Sequence, residues 1–442
     1  MGGKGRWQIS ARYARRGASC YRPRNSKRGN GTMTIKSIDY NKLYSAALPD
    51  PAPRWMPFPK YYFVGGNNDP EQIPIEGLVE AAASVLRRDG SKLAIYNLGM
   101  GPQGYPELRQ FVADKSDRHR GITASIEDIL ITTGSGQGLD IISKLLINPG
   151  DTVLTEEYCY QGAINRFRKI GATVAGMKLD ADGIVIDALS QQLSDLKARG
   201  ITPKFIYTIP TIQNPTASIL PLDRRHALIA LAREYDIAIF EDECYADLLW
   251  EGVKAPPALY ALDPGCVIHL GSFSKSLAPA LRLGYVIANW EIISRLLPLK
   301  GDSGTGALDQ MIVAEYFSRN FDRHLAHLNG VLRSKLDTMT DAVGREFGSA
   351  AECWVPKGGI FLWIKLPAEV DVRKLVKPAA EAGIVFNPGP EWAVSADNSS
   401  NCLRLCFAMP SKQTIREGVA ELARVCYEQT GIPIRSGNVQ RL

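Results

Sequence analysis

Val267-Ile268-His269-Leu270-Gly271-Ser272-Phe273-Ser274-Lys275-Ser276-Leu277-Ala278-Pro279-Ala280-Leu281-Arg282-Leu283-Gly284-Tyr285-Val286-Ile287 reads as a buried strand, a hydroxyl-rich loop carrying one lysine, and a second buried strand. A lysine in a strand-end loop near cations can have its pKa lowered and act as an amine nucleophile. Ser272, Ser274 and Arg282 would clamp a phosphate, the guanidinium offering a two-pronged contact. A surface lysine beside a helix cap has the same pattern, so the stretch gains meaning only from its surroundings.

Outward from it, short apolar strands alternate with helices. Strands are expected at 129–132, 152–155, 204–208 and 237–240, with helices at 76–88, 105–115, 139–146 and 223–234. Such alternation predicts an α/β fold with a largely parallel sheet covered on both faces. After about residue 315 long helices dominate, followed by strands at 360–364 and 403–407 of a second, smaller α/β unit. The expected organisation is a basic tail (1–32), an arm contributing to the small domain (33–75), a large domain (76–315) and a small domain (316–442).

Composition is that of an ordinary globular chain, with 45% hydrophobic and 22% charged residues in 442. The net charge of +6 belongs to the tail: residues 1–32 hold nine Lys/Arg and no acid, and without them the chain carries −3. The tail has no apolar core, so it is no secretory signal. The plain reading is that Met33 is the start. A transit peptide is Arg-rich and acid-poor in the same way, so the expected location is cytoplasmic, or mitochondrial if the tail is such a peptide. No apolar run is long enough to span a membrane. The eight Cys lack a CxxC pair and read as reduced thiols. His324 and His327 sit one turn apart without an acidic or Cys partner. A solvated helix face is the expectation there, with no metal site.

Four further stretches carry chemistry. In Phe240-Glu241-Asp242-Glu243-Cys244-Tyr245, Asp242 stands past a buried strand, where open α/β sheets place ligand contacts. A carboxylate there can pair with a protonated pyridine nitrogen and keep the ring an electron sink. Tyr245 could bond a phenolic oxygen of the same group. A helix N-cap acid is the alternative. Thr133-Gly134-Ser135-Gly136-Gln137-Gly138 offers backbone N–H groups to a phosphate. Its glycines fall as GxGxG, which departs from the dinucleotide fingerprint. Asn214, before Pro215, is held out of the helical region, so its amide can face a ligand. Arg404, in Asn401-Cys402-Leu403-Arg404-Leu405-Cys406-Phe407, is costly among apolar neighbours unless paired; a substrate carboxylate or a structural salt bridge would serve.

In order and spacing these stretches resemble the class I/II aminotransferases of pyridoxal-phosphate fold type I, over roughly residues 60–430. Tyr-Asn-Leu-Gly-Met-Gly-Pro-Gln-Gly-Tyr-Pro-Glu-Leu-Arg (96–109), Glu157 to Ala163 and Gly358-Gly359-Ile360-Phe361-Leu362-Trp363 add to the likeness. It is strongest to the 2-aminoadipate, kynurenine and aromatic aminotransferase branch. The resemblance implies pyridoxal 5'-phosphate held as a Schiff base on Lys275, which also shuttles the proton. It implies Asp242 on the ring nitrogen, Asn214 and Tyr245 on the ring oxygen, and Tyr160 stacked on the ring. The phosphate would fall to Ser135, Gly136, Gln137, Ser272, Ser274 and Arg282. Tyr96 would reach a neighbouring subunit's phosphate, implying a homodimer. Arg404 would grip the substrate α-carboxylate, helped by the turn at Gly66.

The activity expected is ping-pong amino transfer between an amino acid and a 2-oxo acid, with 2-oxoglutarate/glutamate as one pair. A lyase or cyclising enzyme on the same scaffold is the alternative. A regulatory ligand-binding domain would need a DNA-binding module that the short tail cannot supply. A nicotinamide dehydrogenase would leave Lys275 and Asp242 without roles. No second Arg motif marks a dicarboxylate specialist, and no nucleic-acid or membrane partner is expected.

Residues 1–32 have no apolar periodicity with which to dock. A chain beginning at Met33 is expected to keep its thermal melt, its yellow colour and its turnover; a large loss of turnover would make the tail part of the working enzyme.

Overall fold

The computed structural model describes residues 38–45, 48 and 51–434, so the basic tail and Met33 lie outside the described residues. Two units are present, one ending at Met56 and the other spanning Pro57–Leu442. In the first, Asp39 caps a single 3-10 turn at Tyr40–Lys42. All else concerns the second.

Its helices and strands run, in chain order, α1 (Ile75–Asp89), α2 (Pro106–Arg120), β1 (Ile129–Thr133), α3 (Ser135–Leu146), β2 (Thr152–Glu156), α4 (Gln161–Ile170), β3 (Thr173–Met177) and β4 (Phe205–Thr208). Then come α5 (Leu222–Glu234), β5 (Ala238–Asp242), β6 (Val267–Ser272), β7 (Leu283–Ile287) and α6 (Ala307–Phe347). The chain closes with β8 (Glu352–Cys353), β9 (Phe361–Lys365), β10 (Asn387–Pro388), β11 (Cys402–Cys406) and α7 (Lys412–Thr430). The expected α/β fold is present. Seven strands form one sheet in the order β1-β7-β6-β5-β4-β2-β3. Only β7 is antiparallel to its neighbours. Four strands form a second, antiparallel sheet in the order β8-β9-β11-β10.

Burial explains why the strands read as near-continuous apolar runs. Every residue of β4, β6 and β7 is buried, because one hydrophobic cluster covers each face of the large sheet. The helix ends follow local rules. α2 opens on Pro106 and stops at Gly121, whose φ of 71° gives the left-handed turn that glycine adopts without strain.

Element boundaries differ from the expected ones where local signals conflict. α3 begins at Ser135 rather than 139, because glycines in its first turn mask the helical pattern. α6 is one helix of 41 residues that runs unbroken through the expected boundary at 315/316. From the arm, Tyr61 and Tyr62 pair in parallel with Ile384 and Val385, tying it to the C-terminal part of the chain.

The expectation of a solvated His pair fails at His324. Its ring is buried, with Nε2 2.7 Å from the Ser276 carbonyl and Nδ1 3.4 Å from the Tyr316 hydroxyl. α6 turns this residue inward, and burial lowers its pKa, so the neutral ring donates to the backbone beside Lys275. His327 is exposed and meets Gln72. No cluster that could hold a metal occurs among the described residues. All seven described cysteines are free, and no described helix is long and apolar enough to cross a membrane.

Behind the sheet, Glu243 accepts from Arg120 at 2.6 and 2.8 Å and from Thr211 at 2.6 Å, with Arg225 at 3.7 Å. Burial raises the carboxyl's pKa, but the two guanidinium groups outweigh it and hold the group ionised. Removing one member of such a buried set strands the others' charges. Glu243→Gln should therefore lose about 3 kcal/mol of stability, read as a drop in thermal midpoint; an unchanged midpoint would show that the two arginines find other acceptors.

Candidate active site

A cavity of about 440 Å³ opens at the carboxyl ends of β5 and β6. Its wall includes Gly66, Ser135, Gly136, Tyr160, Asn214, Asp242, Tyr245, Ser272, Ser274, Lys275, Arg282 and Arg404. Nearly every residue singled out in the sequence thus converges here from segments hundreds of positions apart. A larger cavity, about 670 Å³, lies beside Tyr158 and Trp363 and contains none of them.

Lys275 stands three residues past β6 with Nζ 2.7 Å from the Gly66 carbonyl. A Cβ on residue 66 would strike Nζ and Cε of Lys275, so the close approach requires glycine. Burial lowers the Lys275 pKa, and Arg404 and Arg282 act in the same direction. The amine is therefore neutral over a wider pH range than an ordinary lysine.

Strand alternation sorts the three adjacent acids. Glu241 points to one sheet face, where His269 Nδ1 lies at 2.8 Å and the Leu259 backbone donates. Asp242 points to the other face and into the cavity. It is buried, and burial raises its pKa against the donors Cys244 and Tyr207. Tyr207 Oη donates to Asp242 Oδ2 at 2.7 Å, and the Cys244 backbone N donates to Oδ1 at 3.2 Å.

At the other end, α3 starts on Gly134 with no side-chain cap, which leaves the N–H groups of Ser135 and Gly136 open, while that of Gln137 donates to the Gly134 carbonyl at 3.1 Å. Arg282 packs against that turn, and a Cβ on Gly134 would sit 2.5 Å from its Nη2. Ser272 Oγ accepts from the Ser274 backbone N at 3.1 Å. A helix N-terminus, two hydroxyls and a guanidinium together form an anion site.

Arg404 is 2% exposed on β11. Nη1 donates to Asn214 Oδ1 at 2.8 Å. Nη2 donates to Asn387 Oδ1 at 2.8 Å and to the Gly65 carbonyl at 3.2 Å. Its guanidinium carbon lies 3.8 Å over the Trp392 ring and 5.1 Å over that of Phe361. Every one of these partners is neutral, so the buried charge lacks an acid. Asn214 Nδ2 donates to the Tyr245 hydroxyl at 3.2 Å. Burial raises the Tyr245 pKa.

Two expected residues stand apart. Gln137 turns its side chain away, accepting from Thr133 N at 2.8 Å and donating to Asp302 at 2.9 Å. Tyr96 is 89% exposed and outside the cavity. Tyr160 is at the rim, 39% exposed, with its ring centroid 6.1 Å from that of Trp392. Sequence reasoning missed Trp392, Asn387 and Tyr207. The turn-forming Asn387-Pro388-Gly389 was the one available signal for the first two.

Residues 64–422 match the family model described as aminotransferase class I and II. The chain belongs to that family. This aminotransferase is 36% identical over 369 residues to the 2-aminoadipate transaminase of Thermus thermophilus, covering 82% of this chain and 89% of the relative. It is 32% identical over 368 residues to aromatic-amino-acid aminotransferase 1 of Thermococcus litoralis, covering 83% and 87%. Among solved structures, the α-aminoadipate aminotransferase of T. thermophilus, complexed with N-(5'-phosphopyridoxyl)-L-leucine, superposes with a TM-score of 0.76. It is 34% identical, covering 84% of this chain and 93% of that one.

The protein is therefore a pyridoxal-phosphate-dependent transaminase of fold type I, as expected from the sequence. The cavity fits that cofactor. A buried amine suits its aldehyde, the uncapped α3 with Arg282 suits its phosphate, and a buried carboxylate suits its ring nitrogen.

An amine attacks an aldehyde as the free base. Capture of pyridoxal phosphate by the apoprotein should therefore rise with pH and level off below about 10.4, the ordinary lysine value. Borohydride trapping with peptide mapping should place the label on Lys275, and a label on another lysine would remove Lys275 from its role.

Proposed function

We propose that this aminotransferase works by a ping-pong cycle. The α-amino group passes from an amino acid to the cofactor and then to a second 2-oxo acid, with 2-oxoglutarate and glutamate as one pair. The observation that carries this reading is Arg404: a buried guanidinium with neutral partners, open to the cavity that holds Lys275. Two substrates that share only an α-carboxylate would use it in turn. Relatives named for 2-aminoadipate and for aromatic amino acids support a donor with a long or aromatic side chain.

Bound pyridoxal phosphate supplies the electrophilic carbon and the electron sink. The chain's own groups do the rest. Lys275 anchors the cofactor and, once freed, its Nζ takes the proton from the substrate Cα and returns it to the adjoining carbon. Asp242 would accept from the ring nitrogen, Asn214 and Tyr245 would donate to the ring oxygen, and Tyr160 would hold the ring from the rim of the cavity. Ser135 and Gly136 would offer backbone N–H groups to the phosphate, with Ser272, Ser274 and Arg282, and Gln137 would have to share its N–H with the Gly134 carbonyl. Gly66 lets the backbone approach the substrate side. Ile75, Val79, Ile95 and Tyr96 are all more than half exposed. This apolar surface supports a homodimer in which Tyr96 meets a neighbouring subunit's phosphate.

Truncating a buried charged contact costs about 2–5 kcal/mol, or roughly 30- to several-thousand-fold. Arg404→Ala should slow both half-reactions by that order in paired single-turnover measurements, one with holoenzyme and amino acid, one with the pyridoxamine form and 2-oxoglutarate. Arg404→Lys should restore part, since a point charge makes no two-pronged contact. If one half-reaction is spared, Arg404 is not the shared carboxylate site. Ammonia release without amino transfer would make the enzyme a lyase.

A further inference from the structure

Tyr207 is fully buried on β4 and lies outside the cavity wall. Its ring is wedged edge-on between Phe240, centroid at 5.2 Å, and Phe167, at 5.5 Å. Phe205 continues the same cluster. In this apolar setting a hydroxyl is costly unless it is paired, and a phenylalanine would pack equally well. The hydroxyl is paired with one group only, Asp242 Oδ2, at 2.7 Å.

Strand register makes the contact. β4 and β5 run parallel with Tyr207 opposite Phe240. Asp242 is two residues past Phe240, so its side chain leaves the sheet on the same face. The long phenol reaches along the strand to it. Burial and the neighbouring carboxylate raise the Tyr207 pKa far above its ordinary value, so the proton stays on the phenol and the direction of donation is fixed.

We propose that Tyr207 is a positioning residue for Asp242: its donated hydrogen bond fixes the rotation of the carboxylate and weakens it as a base, leaving the proton it shares with the cofactor's ring nitrogen on the ring. This rests on the reading that Asp242 faces that nitrogen. A carboxylate stripped of water becomes a stronger base. Left alone, Asp242 would draw the shared proton onto itself, and a neutral pyridine is a poor electron sink. The bond from Tyr207 and the one from the Cys244 backbone oppose that drift. Each carboxylate oxygen still has capacity for a further donor.

The test is a double-variant cycle on the holoenzyme, with Tyr207→Phe and Asp242→Asn. Tyr207→Phe keeps the ring contacts with Phe167 and Phe240, and a melt of each variant checks the fold. Two quantities are read: the dissociation constant of pyridoxal phosphate, and the nitrogen-15 chemical shift of ring-labelled cofactor. Tyr207→Phe should weaken binding by about tenfold, the size of a hydrogen bond to a charged group. It should also move the nitrogen shift from the protonated towards the neutral pyridine value, and slow single turnover at unchanged substrate affinity. In the Asp242→Asn background the same substitution should change neither quantity. Equal losses in both backgrounds would mean that Tyr207 acts through packing, and the proposal falls. An unmoved nitrogen shift overturns it too. If Asp242→Asn by itself leaves binding and shift as in the wild type, the role of Asp242 fails first and that of Tyr207 with it.

Discussion

A carboxylate at the end of a strand buried on both faces must find a partner, and β5 ends on three acids in a row. Alternation of side chains across the sheet separates them. On one side Glu243 is neutralised by Arg120 and Arg225, and Glu241 meets His269 Nδ1 and the Leu259 backbone. Asp242 is left on the other, supported by two hydrogen bonds and, among the described residues, by no ion pair. An incomplete charge balance in the wall of a cavity suits a cationic ligand. The buried network on one face of the sheet and the carboxylate left facing the cavity on the other both follow from how these three acids are divided.

The same logic recurs at Arg404. It sits on the second sheet among aromatic rings and amide oxygens, which orient a guanidinium without cancelling its charge. Asn214 links the two centres, since it accepts from Arg404 and donates to Tyr245. A shift of β11 relative to the large sheet therefore moves the Arg404 guanidinium and the Asn214–Tyr245 pair together.

Lys275 completes the pattern from a third direction. Its loop is held from outside by the buried neutral ring of His324, which meets the Ser276 carbonyl, and by Asn68, which donates to the Leu277 carbonyl at 2.8 Å. Gly66 closes the other side. The amine is thus placed by backbone contacts from the arm, the loop after β6 and the long helix α6, none of which supplies a charge to hold it protonated.

The sequence alone determined the fold class, six of the seven strands of the large sheet and most of the residues that line the cavity. Buried parallel strands are apolar along their whole length, and the residues that follow them at the sheet's carboxyl edge are chemically conspicuous: Lys275 among serines, Asp242 after Phe240, Asn214 before Pro215. Local pattern carries such information. It did not carry the start of α3, where glycines needed for close approach hide a helix, or the burial of His324, which depends on the face that a 41-residue helix turns to its neighbours. Tertiary structure alone decided that Tyr207 bonds Asp242, that Trp392 and Asn387 frame Arg404, and that Gln137 turns to Asp302. These contacts join residues from 12 to 165 positions apart, and their geometry is set by strand register and sheet packing, which no local run of residues specifies.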